Sequence, residues 1–126
     1  MPRFSDRELD VMAVLWDRGE ATVAEVQERL SDELAYTTVL TVLRTLEEKG
    51  HVGHRTGEGR AYRYHPLVER EEAGSSVLDR MLDRVFGGSP ELLLTQLVSD
   101  RKLSAGELER MRRLLDERLE AKEEDR

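Results

Sequence analysis

The chain contains no cysteine. That excludes disulfide cross-links, thiolate metal sites and a cysteine nucleophile, and it fits a reducing compartment. No apolar run approaches the ~20 residues needed to span a bilayer. The start, Met1–Asp10, is polar and helix-capping in character, unlike a secretory signal. A soluble, cytoplasmic protein is expected. Histidine is scarce, with only His51, His54 and His65. In an extended strand, positions three apart point to opposite faces, so His51 and His54 make a poor metal pair. No Ser-His-Asp arrangement, Walker-type phosphate loop or His-Glu-x-x-His motif is present. Gly57-x-Gly59 lacks the strand-to-helix context of a nucleotide loop, and Glu47-Glu48 and Glu71-Glu72 read as solvated helix charges. No catalytic residue, metal or cofactor is expected, and the chain does not read as an enzyme.

What is present is charge and helix. Of 126 residues, 37% are charged and 38% apolar, enough for a modest core and one domain with an appendage. The net charge of -7 speaks against nucleic acid, but distribution matters more than the total. Between Tyr36 and His65 the basic residues are Arg44, Lys49, Arg55, Arg60 and Arg63, against Glu47, Glu48 and Glu58. That segment is slightly basic inside an acidic chain.

Ser5-Asp6-Arg7-Glu8 is a capping box, so a first helix begins after Ser5 and carries Leu9, Met12, Leu15 and Trp16 at helical spacing until Gly19. Thr22-Val23-Ala24-Glu25 is a second box, opening a helix with Val23, Val26 and Leu30 on one side. A third helix occupies Ala35–Gly50, ended by Gly50. Then the period changes. His51–Thr56 and Arg60–His65 read as strands around Gly57-Glu58-Gly59, with Pro66 closing a hairpin. Three helices and a hairpin form the skeleton of a winged helix-turn-helix over 1–67.

The remainder, 68–126, is helical. Ala73, Val77, Leu78, Met81, Leu82, Val85 and Phe86 make a broad stripe up to Gly87-Gly88. Ser89-Pro90 starts another helix carrying Leu92, Leu93, Leu94, Leu97 and Val98. Ser104-Ala105-Gly106-Glu107 caps a last one with Leu108, Met111, Leu114, Leu115 and Leu119, and 121–126 is expected to fray. So little chain cannot build a deep core alone. Either these helices fold back on the first domain, or they pair with a second copy about a two-fold axis, which is the economical solution. The expected dimer contacts are Val77, Leu78, Met81, Leu82, Val85, Leu93, Leu94, Leu97, Leu108, Met111 and Leu115. The fold class is therefore mainly α with a small β-hairpin, a winged helix-turn-helix followed by a helical dimerisation region.

The third helix is built from residues that a surface helix normally avoids. Thr is a mediocre helix former, yet Thr37, Thr38, Thr41 and Thr45 all occur in it. At about 100° per residue they share one face with Arg44, while Val39, Val42, Leu43 and Leu46 share the opposite one. Glu48 also projects near this face, but only in the last turn. A face of short, uncharged side chains with one Arg suits close approach to a major groove. There, Thr methyls meet thymine methyls, hydroxyls bond base edges or phosphates, and Arg44 reaches guanine or phosphate. Arg55, Arg60 and Arg63 of the hairpin are placed to meet phosphates beside it. A Thr-rich solvent face and a solvated basic hairpin are the plainer readings. Tyr62 and Tyr64 alternate to one face and are expected in the core.

The segments SDRELDVMAVLWDRGEATVAEV, AYTTVLTVLRTLEEKG and GRAYRYHP together resemble the penicillinase-repressor family, of the BlaI/MecI/CopY type. The resemblance is close from Phe4 to Pro66 and looser beyond. It implies a homodimeric transcriptional repressor whose winged domains read a dyad-symmetric double-stranded DNA operator and whose C-terminal helices hold the dimer. In β-lactam-responsive members a membrane sensor-protease pathway leads to cleavage in the C-terminal part. Matching LSAGELERM places that bond near Gln96-Leu97, where those members carry Asn-Phe. Copper-responsive members carry a C-terminal cysteine motif, which the absence of cysteine excludes here. The alternative is a winged-helix protein-docking module without sequence-specific DNA binding, which the net acidity also fits.

Overall fold

Four of the six helices begin where the sequence supplies a side-chain cap. The computed structural model describes residues 3–125, ordered as α1 (Asp6–Arg18), α2 (Val23–Arg29), α3 (Tyr36–Glu48), β1 (Val52–Thr56), a 3-10 turn (Glu58–Arg60), β2 (Tyr62–Pro66), α4 (Arg70–Arg84), α5 (Pro90–Asp100) and α6 (Ala105–Glu124). Ser5, Thr22 and Ser104 each form a complete capping box, and Ser89 caps α5 with Pro90 behind it. Each such cap satisfies backbone N–H groups that the helix leaves unpaired and contributes about 1 kcal/mol. Gly19 ends α1 at φ 86°, a conformation that costs other residues a Cβ clash.

The chain forms two compact units, one through Met81 and one from Leu82. In the first, α1, α2 and α3 surround a core of Val11, Met12, Leu15, Val26, Val39, Leu43 and Leu46, all without exposed surface. The apolar stripes expected on the three helices are its source. β1 and β2 pair antiparallel, with Val52 opposite Pro66, His54 opposite Tyr64 and Arg55 opposite Arg63. A two-bond bridge between Ala21 and Tyr64 (3.0 and 2.8 Å) makes the α1–α2 connection a third, one-residue strand. Tyr64 and Val52 fill the core from the hairpin. The start of α4 belongs to this unit: Ala73 is buried, Trp16 Nε1 donates to the Val68 carbonyl (2.9 Å), and Arg70 lies over the Trp16 ring. The sequence divides at 67/68 by pattern, whereas the compact unit runs on to Met81 because Ala73 completes its core.

The second unit contains α5 and α6, neither of which has a buried residue. Leu92, Leu114, Leu115 and Leu119 are each more than half exposed.

Several expectations are corrected in detail. Arg60 lies in the 3-10 turn and not in a strand, and Pro66 is the last paired residue of β2. A strand-end proline loses no ladder donor that the sheet needs. Tyr62 does not share the core with Tyr64. It is 50% exposed and stacks on His54, because β2 has left the helices by that point. Phe86 lies beyond the end of α4 at Arg84. Residues 121–124 continue α6 to Glu124, through Ala, Lys and Glu, all strong helix formers, and Arg126 lies outside the described residues.

Candidate nucleic-acid interface

The α3 face is built by its own apolar stripe. Val39, Leu43 and Leu46 are fully buried, which turns Thr37, Thr38, Thr41 and Arg44 outward, all exposed, with Thr45 half-buried at the margin. The Thr41 hydroxyl donates to the Thr37 carbonyl (2.9 Å), leaving its lone pairs outward as acceptors. Ala35 starts α3 without a side-chain cap, and no acid occupies the first turn. The Thr38 N–H bonds the Ala35 carbonyl (3.0 Å), and the positive end of the helix dipole lies beside Thr37 and Thr38 with neither side-chain cap nor first-turn acid. Acids appear only at the far end: Glu48 is exposed there, and Glu47 meets His54 Nδ1 at 2.5 Å and ties α3 to β1.

The hairpin divides its cations between two settings. Arg60 sits at the tip with φ 63°, a left-handed conformation that is unusual for a side-chain-bearing residue. Together with Arg44, Tyr36, Leu40 and Tyr62 it lines a cleft of about 410 Å³ between α3, the start of α2 and the hairpin. Neither Arg44 nor Arg60 forms an ion pair among the described residues. Both cations are thus available to an anion lying along the cleft. Arg55 and Arg63 stand directly opposite each other on the two strands, on the face away from Tyr64. Both are held by acids. Arg55 makes a two-point contact with Glu20 (3.0 and 2.5 Å). Arg63 meets Glu20 at 3.1 Å and Glu25 at 3.3 Å, and Glu25 in turn holds Arg18 at 2.6 Å. Glu20 and Glu25 both have lowered pKa values. For Glu20 the chief cause is the Arg55 hydrogen bond; for Glu25 it is the Thr22 backbone N–H.

Of the expected DNA-contacting residues, the structure therefore gathers Thr37, Thr38, Thr41, Arg44 and Arg60 on exposed surface around α3 and the wing tip. It places Arg55 and Arg63 in an ion-pair row on the other hairpin face. Glu20 and Glu25 were missed as partners. Glu25 is legible only as a capping residue, and Glu20 sits in a linker whose pairing with β2 is a tertiary fact. Lys49 is also withdrawn from the basic segment, since its ammonium contacts both carboxylate oxygens of buried Glu8 at 2.9 Å.

Comparison with known proteins supplies the deciding observation. The family model described as penicillinase repressor matches residues 4–117. The chain belongs to the penicillinase repressor family. It is 38% identical over 121 residues to the transcriptional regulator BlaI of Mycobacterium tuberculosis, covering 93% of this chain and 86% of that one. It is 28% identical over 126 residues to the penicillinase repressor of Bacillus licheniformis, covering 98% of each. The solution structure of the DNA-binding domain of the repressor BlaI matches with a TM-score of 0.50 at 34% identity, over 56% of this chain and 88% of that one. The apo form of MarR from E. coli matches with a TM-score of 0.51 at 18% identity, over 92% and 78%, which places the fold among winged helices.

Gln96 and Leu97, where the family resemblance implied a cleavage bond, lie inside α5, both exposed. The Gln96 side-chain amide donates to Asp100 one turn on. A protease binds extended chain, so cleavage there requires α5 to unwind locally. Among the described residues no cluster of His, Asp or Glu is arranged to hold a metal ion, and no helix is long and apolar enough to cross a membrane.

Proposed function

We propose that this DNA-binding transcriptional repressor acts in the cytoplasm as a homodimer on a dyad-symmetric operator, each protomer laying α3 in the major groove. The observation that carries this is the exposed face of Thr37, Thr38, Thr41 and Arg44, free of acid until Glu48 in the last turn and backed by three fully buried side chains. In this arrangement Thr37, Thr38 and Thr41 meet base edges and thymine methyls, as N-terminal residues of recognition helices do. Arg44 reaches a guanine edge, Thr45 lies at the groove margin, and the wing brings Arg60 to the backbone. Arg55 and Arg63 contact phosphate once they leave Glu20. Two such helices enter successive major grooves about 10 bp apart, and the bound dimer obstructs polymerase.

The second copy covers the C-terminal apolar residues. Leu78, Met81, Val85, Leu94, Leu97, Leu108 and Leu115 are between 37% and 70% exposed, and Val77, Leu82, Leu93 and Met111 are half-buried. Apolar surface of that extent on a single chain marks an association face. A two-fold axis would let the same residues cover one another.

The test is selection of binding sites from a random DNA library at near-physiological salt, with the Thr38→Ala/Arg44→Ala variant alongside. An enriched dyad motif that the double variant loses supports the proposal and supplies the operator. A folded, dimeric protein that enriches nothing overturns it.

A further inference from the structure

The hairpin's outer face has an electrostatic problem that Glu20 answers at both arginines and Glu25 at Arg63 alone. Arg55 and Arg63 are direct cross-strand partners, and like charges in that position repel. Glu20 lies beside them, immediately before the one-residue strand at Ala21 and on the same outer face, because Ala21 turns inward opposite Tyr64. Its Oε1 contacts both guanidinium groups, and its Oε2 completes a two-point contact with Arg55. A carboxylate meeting the forked edge of an arginine with two oxygens uses the same geometry as a phosphate. The row is partly solvated, with Arg55 56% and Glu20 32% exposed, so a competing anion can enter it.

We propose that Glu20 is a specificity-determining residue. In the DNA-free protein its carboxylate occupies the guanidinium edges of Arg55 and Arg63 that would otherwise hold backbone phosphate, and so suppresses binding to DNA of arbitrary sequence. The inference rests on the DNA-binding reading above. A duplex with only phosphates to offer must displace Glu20 to recruit these two cations, and gains little by exchanging one anion for another. An operator that also satisfies Thr37, Thr38, Thr41 and Arg44 holds the wing against the backbone long enough for the exchange. Arg44 and Arg60, which have no ion-pair partner among the described residues, supply the first attraction.

The experiment compares full-length wild type, Glu20→Gln, Glu20→Asp and the triple variant Glu20→Gln/Arg55→Gln/Arg63→Gln, each checked for folding by circular dichroism. Affinity for the selected operator and for a scrambled duplex of equal length is measured across a salt series. Glu20→Gln is expected to bind the scrambled duplex roughly threefold or more tightly at low salt, with a salt slope steeper by about 1–2. Operator affinity should rise less, so the specificity ratio falls, and the triple variant should lose the gain. Glu20→Asp keeps the charge but retracts the carboxylate, and should fall between wild type and Glu20→Gln. If Glu20→Gln does not fold, this variant carries the test. Unchanged scrambled-duplex affinity and slope in the folded variant overturn the inference. So does a gain that survives in the triple variant, because it would then not pass through Arg55 and Arg63. A wild-type protein that selects no operator overturns the dyad-operator reading. A wild type that selects one beside an unaltered Glu20→Gln overturns this inference alone.

Discussion

Arg44 and Arg60 share a cleft but are held there at different cost. Arg44 stands on a regular helix turn, whereas Arg60 holds a left-handed backbone conformation at the wing tip. Such strain persists where the surroundings impose it and often marks a functional position. Arg44→Ala should cost about 1–3 kcal/mol of operator binding and relax sequence preference at one base-pair position. Equal loss on every sequence would make Arg44 a phosphate contact instead. Arg60→Gly should act differently, raising thermal stability by up to about 1 kcal/mol by relieving the backbone. It should also weaken binding to all duplexes alike, with a shallower salt slope. Melting and salt titration of the one variant read both effects, and a lower melting temperature would exclude strain at the tip. Glu8 is the main titrating group of the interior. Burial pushes its pKa up, but the Ser5 backbone N–H and the Lys49 ammonium outweigh this and leave it lowered. His51 is also lowered, chiefly by burial and then by Lys49. In both cases the unfolded chain takes up its proton at higher pH than the folded one, so acid destabilises the fold. Stability should begin to fall just below the ordinary histidine range. It should fall again as the pH drops from the ordinary glutamate range through the lower folded value of Glu8. A pH series of chemical melts checks this. Glu8→Ala should shrink the second step, to which Glu20 and Glu25 also contribute, and cost about 1–3 kcal/mol at neutral pH.

Among the elements, α3 departs most from local rules. Helices α1, α2, α5 and α6 carry side-chain caps, and α3 begins at Ala35 without one. The missing cap leaves the positive end of the dipole for an anion outside the protein. Ala35→Asp should therefore stabilise the free protein by about 1 kcal/mol and yet weaken DNA binding, since the new carboxylate would face phosphate. Denaturation and operator titration of that single variant decide the matter, and tighter binding would show that the α3 start lies away from DNA. The hairpin is the converse case. Its tip and strands were legible from glycine and alternation, but Tyr62 leaves the core and Arg55 and Arg63 turn toward Glu20 for reasons outside the hairpin.

For the whole molecule, the contrast between the units matters most. All buried apolar side chains among the described residues lie between Phe4 and Ala73, while α5 and α6 bury none. The first unit has a core to fold around, and the apolar residues that follow it wait for a partner. A chain ending at Met81 should retain a cooperative melt, sediment as a monomer and bind a full operator far more weakly than the full chain. Binding as tight as the full chain would sink the dimer proposal. Ending the chain after Pro66 is a poorer test, because it also removes the Val68 carbonyl from Trp16 and Ala73 from the core.

The sequence by itself determined the helices, the starts of the four that carry side-chain caps and the division of α3 into two faces. Caps, glycine stops and 3.6-residue periodicity are local, and the local choices agree with one another from Ser5 to Glu124. The motifs YTTVLTVL and RAYRYHP also made the family recognisable before any fold was drawn. Only the tertiary structure decided which cations are available to an anion. Five basic residues between Tyr36 and His65 look equivalent in the chain. Lys49 is tied to Glu8 at 2.9 Å, forty-one positions away, and Arg55 and Arg63 to Glu20, thirty-five and forty-three positions away. Charge can be counted along a chain, but its pairing depends on distances of a few ångströms between segments that only the folded core brings together.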